Sequence, residues 1–203
     1  MAQVNPIEVL MAEHRLIERV LTAMEACAKR VEAGEAVEPA ELGRFARFLR
    51  GYADALHHGK EEEILFEEMI AAGFPREAGP IAVMLTDHDH GRALVRAMLA
   101  LSEKAAWDAA DRRTVVDSAL GFSGMLRGHI HKEDRILYPM AEQHLPAPAM
   151  EGVAERFGAK LAETAQAERE LEALGVELER RWSPGAPSEV AAGEHACSVC
   201  GGH

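Results

Sequence analysis

The chain has 203 residues, of which 48% are hydrophobic, and its formal net charge is −12. This composition excludes a disordered chain, and the negative charge disfavours nucleic acid and membrane surfaces as partners. No apolar run approaches the roughly 20 residues that span a bilayer, and Met1 to Leu10 lack the pattern of a secretory signal. Three cysteines do not suggest a disulfide framework, so we predict a cytoplasmic protein.

Helical periodicity predicts five long segments, and no stretch shows the sustained alternation of a β-strand. The first predicted helix spans about residues 6–31, with Asn5 as its N-cap and Pro6 at its first position. Its apolar residues recur in alternating steps of three and four, which places them on one side. A histidine interrupts this stripe, which consists of Ile7, Leu10, His14, Ile17, Leu21, Met24, Ala28 and Val31.

The second predicted helix spans about residues 39–72 and the third about residues 80–104, with Gly73 and Pro75 between them. Both helices carry a histidine within their apolar side. The inner residues of the second are Leu42, Phe45, Leu49, Ala53, His57, Glu61, Ile64 and Leu65, and those of the third are Ile81, Met84, His88, Gly91, Val95 and Met98.

The fourth predicted helix begins near Asp108, which is a second N-cap candidate, and Pro139 is expected to kink or end it. A fifth amphipathic segment follows Pro146 and spans about residues 149–182. The inner residues of the fourth helix are Val115, Ala119, Phe122, Leu126, His129, Glu133, Ile136 and Met140.

Short connections between long helices are typical of antiparallel neighbours, so we predict an all-α chain with an up-down-up-down four-helix bundle. At about 1.5 Å per residue, the four inward histidines then fall at one level of the bundle. We predict three parts: the bundle over residues 1–145, an additional amphipathic helix over 146–182, and a linker with a Cys/His tail over 183–203.

The chain also repeats itself, because residues 57–66 and 129–138 are identical at five of ten positions. Each copy contains a His-x-x-x-Glu pair, and this spacing puts both side chains on one face of a helix. The first two helices therefore look like a copy of the next two, and two similar half-sites would face each other.

Four inward imidazoles and two inward carboxylates exceed what one metal ion needs. Two metal ions would use all six side chains if each ion binds two histidines and both carboxylates bridge the two ions. This arrangement leaves an open coordination position for an exogenous ligand. Imidazole and carboxylate ligands favour two iron ions, with manganese as the alternative. The predicted metal ligands are His14, His57, Glu61, His88, His129 and Glu133.

At these residues the sequence resembles the hemerythrin-like, or HHE cation-binding, family, over roughly residues 5–145. The resemblance implies a four-helix bundle with an oxo- or hydroxo-bridged di-iron centre, in which the histidines are terminal ligands and Glu61 and Glu133 bridge. The similar segments are Met-Ala-Glu-His-Arg-Leu-Ile-Glu (11–18), both His-x-x-x-Glu segments, Asp-His-Asp-His-Gly-Arg (87–92) and Lys-Glu-Asp-Arg-Ile-Leu-Tyr-Pro (132–139).

The chain departs from the oxygen-carrying hemerythrins, which have five histidines and a His-x4-Asp pair on the last helix. Here that pair is His129-x3-Glu133, and Arg92 stands one turn after His88. Reversible O2 carriage is therefore not assumed.

Three further histidines, His58, His90 and His131, are expected on the solvated sides of their helices. His58 is the strongest exception, because Glu62 follows it at the same His-x-x-x-Glu spacing. Cys27 lies off the main stripe and is expected to be a packed thiol.

The tail carries a second arrangement of metal-ligating residues. It fits a zinc or iron site completed by its own histidines or by a partner chain, a redox-active thiol pair, or an unstructured tail. Its residues are His195, Cys197, Cys200 and His203.

We predict a non-haem di-iron protein that binds or senses O2, NO or peroxide, as a sensor, a scavenger or a low-turnover oxidoreductase. The first alternative is an iron buffer or damage-response iron donor. The second is a helical protein that binds a partner protein through residues 146–203.

Overall fold

The computed structural model describes residues 4–183, and every element within them is helical, without a β-strand. The predicted all-α fold is therefore confirmed for this part of the chain. The tail residues His195, Cys197, Cys200 and His203 lie outside the described residues. Between residues 4 and 183, no helix combines the length and hydropathy that a membrane crossing requires.

The described residues form five helical rods, which correspond to the five predicted segments. Two of the rods contain π-helical turns. The first rod is α1 (Pro6–Glu32); the second joins α2 (Pro39–Phe48), π1 (Leu49–His58), π2 (Glu61–Leu65) and α3 (Phe66–Ala71); the third is α4 (Gly79–Ser102); the fourth joins α5 (Ala109–Lys132), π3 (Glu133–Leu137) and α6 (Tyr138–His144); the fifth is α7 (Ala147–Trp182).

Side-chain caps and glycines set the ends of these rods. The Asn5 side chain accepts hydrogen bonds from the first turn of α1, and Asp108 forms a capping box at the start of α5, so both predicted caps are confirmed. Gly34 and Gly73 follow α1 and α3 with φ of +83° and +103°. Glycine adopts this left-handed conformation without strain, which allows the chain to turn into the next rod.

Two apolar clusters fill the interior of the bundle, and a polar layer separates them. The larger cluster contains Ile17, Phe45, Leu126 and other side chains on one side of the layer. The smaller cluster lies on the other side. It consists of Ile7, Leu10, Ile64, Leu65, Phe66, Met69, Ile81, Met84, Leu137, Tyr138, Ala141, Leu145, Val153 and Phe157.

The fifth rod, α7, lies along α1 and contributes to both clusters. Phe157 belongs to the smaller cluster and Trp182 to the larger one. Trp182 Nε1 donates a hydrogen bond of 3.0 Å to the buried Glu41, which satisfies the indole at the end of the helix. The apolar side of α7 is thus covered by the rods beside it.

The π-helical turns correct one part of the predicted stripe. Ile136 is 50% exposed and Leu137 is buried, whereas the sequence pattern placed Ile136 inside. Each turn of a π-helix holds more residues than an α-helical turn, so π3 shifts the register of the inward positions after Glu133. Pro139 does not end the rod, because it lies in the first turn of α6, directly after π3, and the helix continues to His144.

Gly175 of α7 packs closely against side chains of α1 and α2. A Cβ there would lie 2.7 Å from Cε2 of the buried Phe48 and 3.3 Å from a methyl group of Leu16. We expect Gly175→Ala to lower the free energy of unfolding by about 1–3 kcal/mol through overpacking. Gly152→Ala, in the same helix with no atom within 4 Å of its Cβ, should raise it by about 0.5–1 kcal/mol. Urea unfolding of both variants measures the difference, and equal stabilisation by both substitutions would contradict the close contact.

Candidate metal centre

The six predicted metal ligands all lie in the polar layer, and each is at most 1% exposed. The histidines form two pairs through their Nε2 atoms. These atoms lie 2.9 Å apart in His14 and His57, and 3.1 Å apart in His88 and His129. The structure therefore brings together side chains from four rods that are far apart in the sequence.

The two inward carboxylates, Glu61 and Glu133, lie between these pairs. Each has oxygen atoms near the Nε2 atom of one histidine from either pair, which is the arrangement that a bridging ligand needs. The separations are 3.3 Å from Glu133 to His14, 3.2 Å from Glu133 to His129, 3.7 Å from Glu61 to His57 and 3.5 Å from Glu61 to His88.

His58 is buried, so the expectation that it is solvated is wrong. Its ring stacks on that of His88 with the centroids 3.7 Å apart. The cause is π1, whose wider turn directs both His57 and His58 inward. His90 and His131 are exposed, as predicted, and Cys27 is a buried free thiol, as predicted.

Metal-ligating atoms in the described residues form two groups, within each of which the atoms lie at most 4.8 Å apart. The two groups divide the layer into unequal halves. One contains His58, Glu61, His88 and His129, and the other contains His14, His57 and Glu133.

A ring of carboxylates holds the second nitrogen of each paired histidine. Each rod from the first to the fourth supplies one carboxylate, and each carboxylate reaches the histidine of another rod. The bonds are Glu13 to His57 at 2.8 Å, Glu62 to His88 at 2.7 Å, Asp87 to His129 at 3.2 Å and Asp134 to His14 at 2.7 Å. An ionised carboxylate only accepts, so each Nδ1 is the donor, and the Nε2 atoms that face inward are left as the ligand atoms.

The sequence interpretation missed the role of these four carboxylates. Their signal is adjacency, because each lies one residue from a predicted ligand: Glu13 precedes His14, Asp87 precedes His88, and Glu62 and Asp134 follow Glu61 and Glu133. A neighbouring residue points about 100° around the helix, which is the direction of the next rod rather than of the centre.

A buried ion pair supports this ring at His57. Glu13 binds His57 and also lies 2.8 Å from Nζ of Lys60, which is only 1% exposed. Burial raises the pKa of Glu13, and the positive charge of Lys60 opposes that rise. Lys60 thus balances a negative charge that would otherwise be isolated in the interior.

The oxygen atoms of Glu61 and Glu133 identify what the layer accommodates. Among the described residues, Oε2 of Glu61 and both carboxylate oxygens of Glu133 are buried without a hydrogen-bond donor. The other oxygen of Glu61 accepts a 2.7 Å hydrogen bond from the hydroxyl group of Tyr138. Buried carboxylate oxygens of this kind need a cation, so the donor set fits bound metal ions.

The pKa values of these two carboxyl groups shift in opposite directions. Burial raises the pKa of Glu61 well above its usual value, and the charge of Glu133 adds to the effect. Burial acts on Glu133 in the same sense, but the imidazoles of His129, His14 and His88 hold its pKa well below the usual range. The side chains by themselves favour one negative charge in this pair, and a cation would allow both groups to ionise.

The pKa of His14 shows the same balance. Burial lowers it, but Asp134 and Glu133 together raise it to about 9. A metal ion bound through His14 would displace that proton, because an imidazole ligand must be deprotonated.

Comparison with known families agrees with this geometry. The profile of the hemerythrin HHE cation binding domain matches residues 5–141, which include the whole polar layer. No solved structure matches the chain.

Curated relatives include uncharacterized proteins of Mycobacterium bovis and Mycobacterium tuberculosis. Each is 26% identical over 151 residues, which cover 74% of this chain. The match spans 58% of the length of those relatives.

Glu62 provides a test of the carboxylate ring. Glu62→Ala removes the partner of the Nδ1 atom of His88, and loss of such a partner typically weakens metal binding by about 10–100-fold. Glu63→Ala is the matched control, because the side chain of Glu63 is exposed and forms a surface ion pair with Lys160. Competition with a chelator for Fe(II) measures both affinities, and equal affinities in the two variants would argue against the ring.

Glu61 provides a test of the buried charge. We expect Glu61→Gln to leave the stability of the metal-depleted protein unchanged or higher, since the raised pKa of Glu61 already disfavours its charged form there and glutamine keeps an acceptor for Tyr138. The same change should abolish most of the rise in melting temperature that Fe(II) or Mn(II) produces. Glu163→Gln, at an exposed position of α7, should retain that rise. Melting curves with and without metal measure it, and an intact rise in Glu61→Gln would contradict the assignment.

Proposed function

This chain belongs to the hemerythrin HHE cation-binding domain family, and on that premise we propose that it is a non-haem di-iron protein that binds O2, NO or peroxide. The observation that carries the proposal is the convergence of four Nε2 atoms and two buried carboxylates in one layer. The proposed ligands are the six residues inferred from the sequence: His14, His57, Glu61, His88, His129 and Glu133.

The donor set supports iron over other ions. Four imidazoles and two carboxylates suit iron or manganese, whereas calcium and magnesium prefer oxygen ligands. A structural zinc site usually has four ligands and often includes thiolates, and the thiol of Cys27 is not among the ligand groups of this layer. A nitrogen-rich site of low charge stabilises ferrous iron, which is the state that binds diatomic molecules.

We also propose the four-helix, up-down-up-down arrangement for the first four rods. Short connections join successive rods, and the contacts between His14 and His57 and between His88 and His129 put the middle of each rod at one level. An arrangement in which successive rods alternate in direction is the simplest one that satisfies these contacts.

The contacts around the proposed ligands indicate what the surrounding side chains contribute to this function. The carboxylate ring fixes the four imidazoles before any ligand arrives, so little reorganisation is needed on binding. The hydroxyl group of Tyr138 donates a hydrogen bond to Glu61 and lies 3.4 Å from Nε2 of His14, so it adjoins the group that contains His14, His57 and Glu133. The two apolar clusters border the layer on either side and limit its contact with water. Bound iron would supply an open coordination position for the exogenous molecule.

Metal content and the absorption spectrum are the first test. Full-length protein loaded anaerobically with Fe(II) should hold about two iron ions per chain and should develop ligand-to-metal charge-transfer bands on exposure to air. Its ferrous form should bind NO with saturation, which electron paramagnetic resonance detects. His57→Ala should lose both the iron and the bands, because it removes one of the buried ligands.

His131→Ala is the control, because His131 is exposed on the same rod as His129 and should not affect the iron. One ion or none, with no charge-transfer bands and no effect of His57→Ala, would exclude the di-iron proposal. Full loading followed by rapid loss to a mild chelator would instead favour the iron-donor alternative.

A further inference from the structure

A cavity of about 250 Å³ adjoins only one half of the metal centre. It reaches the polar layer at His58, His88 and His129, and neither His14 nor His57 lines it. The cavity is therefore continuous with the half-site that contains the additional histidine.

The far walls of this cavity are apolar. Leu49 of π1, Val95 of α4, and Phe122 and Leu126 of α5 line it. Arg50 and Arg96 also line it but are exposed, so they belong to its outer rim. A molecule that filled the cavity would place an apolar body against these walls.

The charged groups near the inner end are already paired. Arg92 binds Asp54 at 2.8 Å and Glu62 at 2.7 Å, and Asp87 binds Lys132 and His129. An anionic or cationic ligand would have to displace one of these partners. His58 is the one cavity-lining histidine outside the carboxylate ring, and its Nδ1 atom lies 3.4 Å from Asp54. An uncharged hydrogen-bonding group would need only the other ring nitrogen of His58.

The size of the cavity exceeds what a diatomic molecule requires. A closed apolar cavity of roughly 150 Å³ holds benzene. A space of about 250 Å³ therefore has room for an aromatic or short branched group together with a small polar group.

Gly91 keeps this space open. It lines the cavity, and a Cβ built on it would make ordinary contacts with Cε of Met125 at 3.5 Å and Cε2 of Phe122 at 3.7 Å. Alanine therefore fits at this position, whereas a longer side chain must extend past these contacts into the cavity.

We propose that this cavity binds a small uncharged organic molecule, with its hydroxyl or hydroperoxyl group at His58 beside the metal and its apolar body against Leu49, Val95 and Leu126. The proposal rests on the function proposed above, because it places the polar end of the molecule next to the iron of the His88–His129 half. It extends the ligand class from diatomic molecules to organic alcohols and hydroperoxides.

The test uses the full chain loaded anaerobically with Fe(II), and 2-phenyl-2-propanol as a probe that undergoes no redox reaction. The wild-type protein should bind the probe with saturation, and the probe should alter the electron paramagnetic resonance spectrum of the NO-treated ferrous site. Gly91→Ala should behave as the wild type does. Gly91→Leu should weaken probe binding by about tenfold or more while its iron content and NO binding stay unchanged.

The possible outcomes distinguish failure of the cavity proposal from failure of the proposed di-iron function. Normal iron and NO binding without saturable probe binding would overturn the cavity proposal and leave the di-iron function intact. Equal probe affinity in Gly91→Leu and Gly91→Ala, or probe binding that leaves the spectrum unchanged, would also overturn it. Absence of iron and NO binding in the wild-type protein would instead refute the proposed function itself.

Discussion

A closed ring of four hydrogen bonds between histidines and carboxylates is the constraint on which this structure depends. Each of the first four rods supplies one histidine and one carboxylate, and the carboxylate holds the histidine of another rod. A rod that rotated or slid would break two of these bonds at once. The apolar contacts around the ring are not directional, so the ring sets the register of the helices more narrowly than the clusters can.

The polar layer between the two apolar clusters is costly in the absence of a bound cation. Glu61 and Glu133 are fully buried, and three of their four oxygens lack a donor among the described residues. Such groups destabilise a fold unless a cation compensates them. The chain belongs to a cation-binding family, and a bound cation would supply that compensation. The layer would then couple the stability of the bundle to metal binding.

The two copies of the internal repeat do not produce two equal half-sites. Tyr138 stands where the first copy has Phe66, and its hydroxyl group binds Glu61 across the layer. His58 stands where the second copy has Ile130, and it adds an imidazole to one half only. The cavity adjoins that same half. The two halves of the centre therefore differ both in their side chains and in their access to the cavity.

The sequence by itself determined the helices, their caps and the six histidine and glutamate side chains that converge. These features are local, because a stripe with steps of three and four and a His-x-x-x-Glu pair depend only on helical geometry. Only the tertiary structure decided that His58 points inward, that Ile136 points outward and which carboxylate holds each histidine. The first two depend on π-helical turns that change the helical period, and the third depends on contacts between rods. A single helical period read along the chain contains neither kind of information.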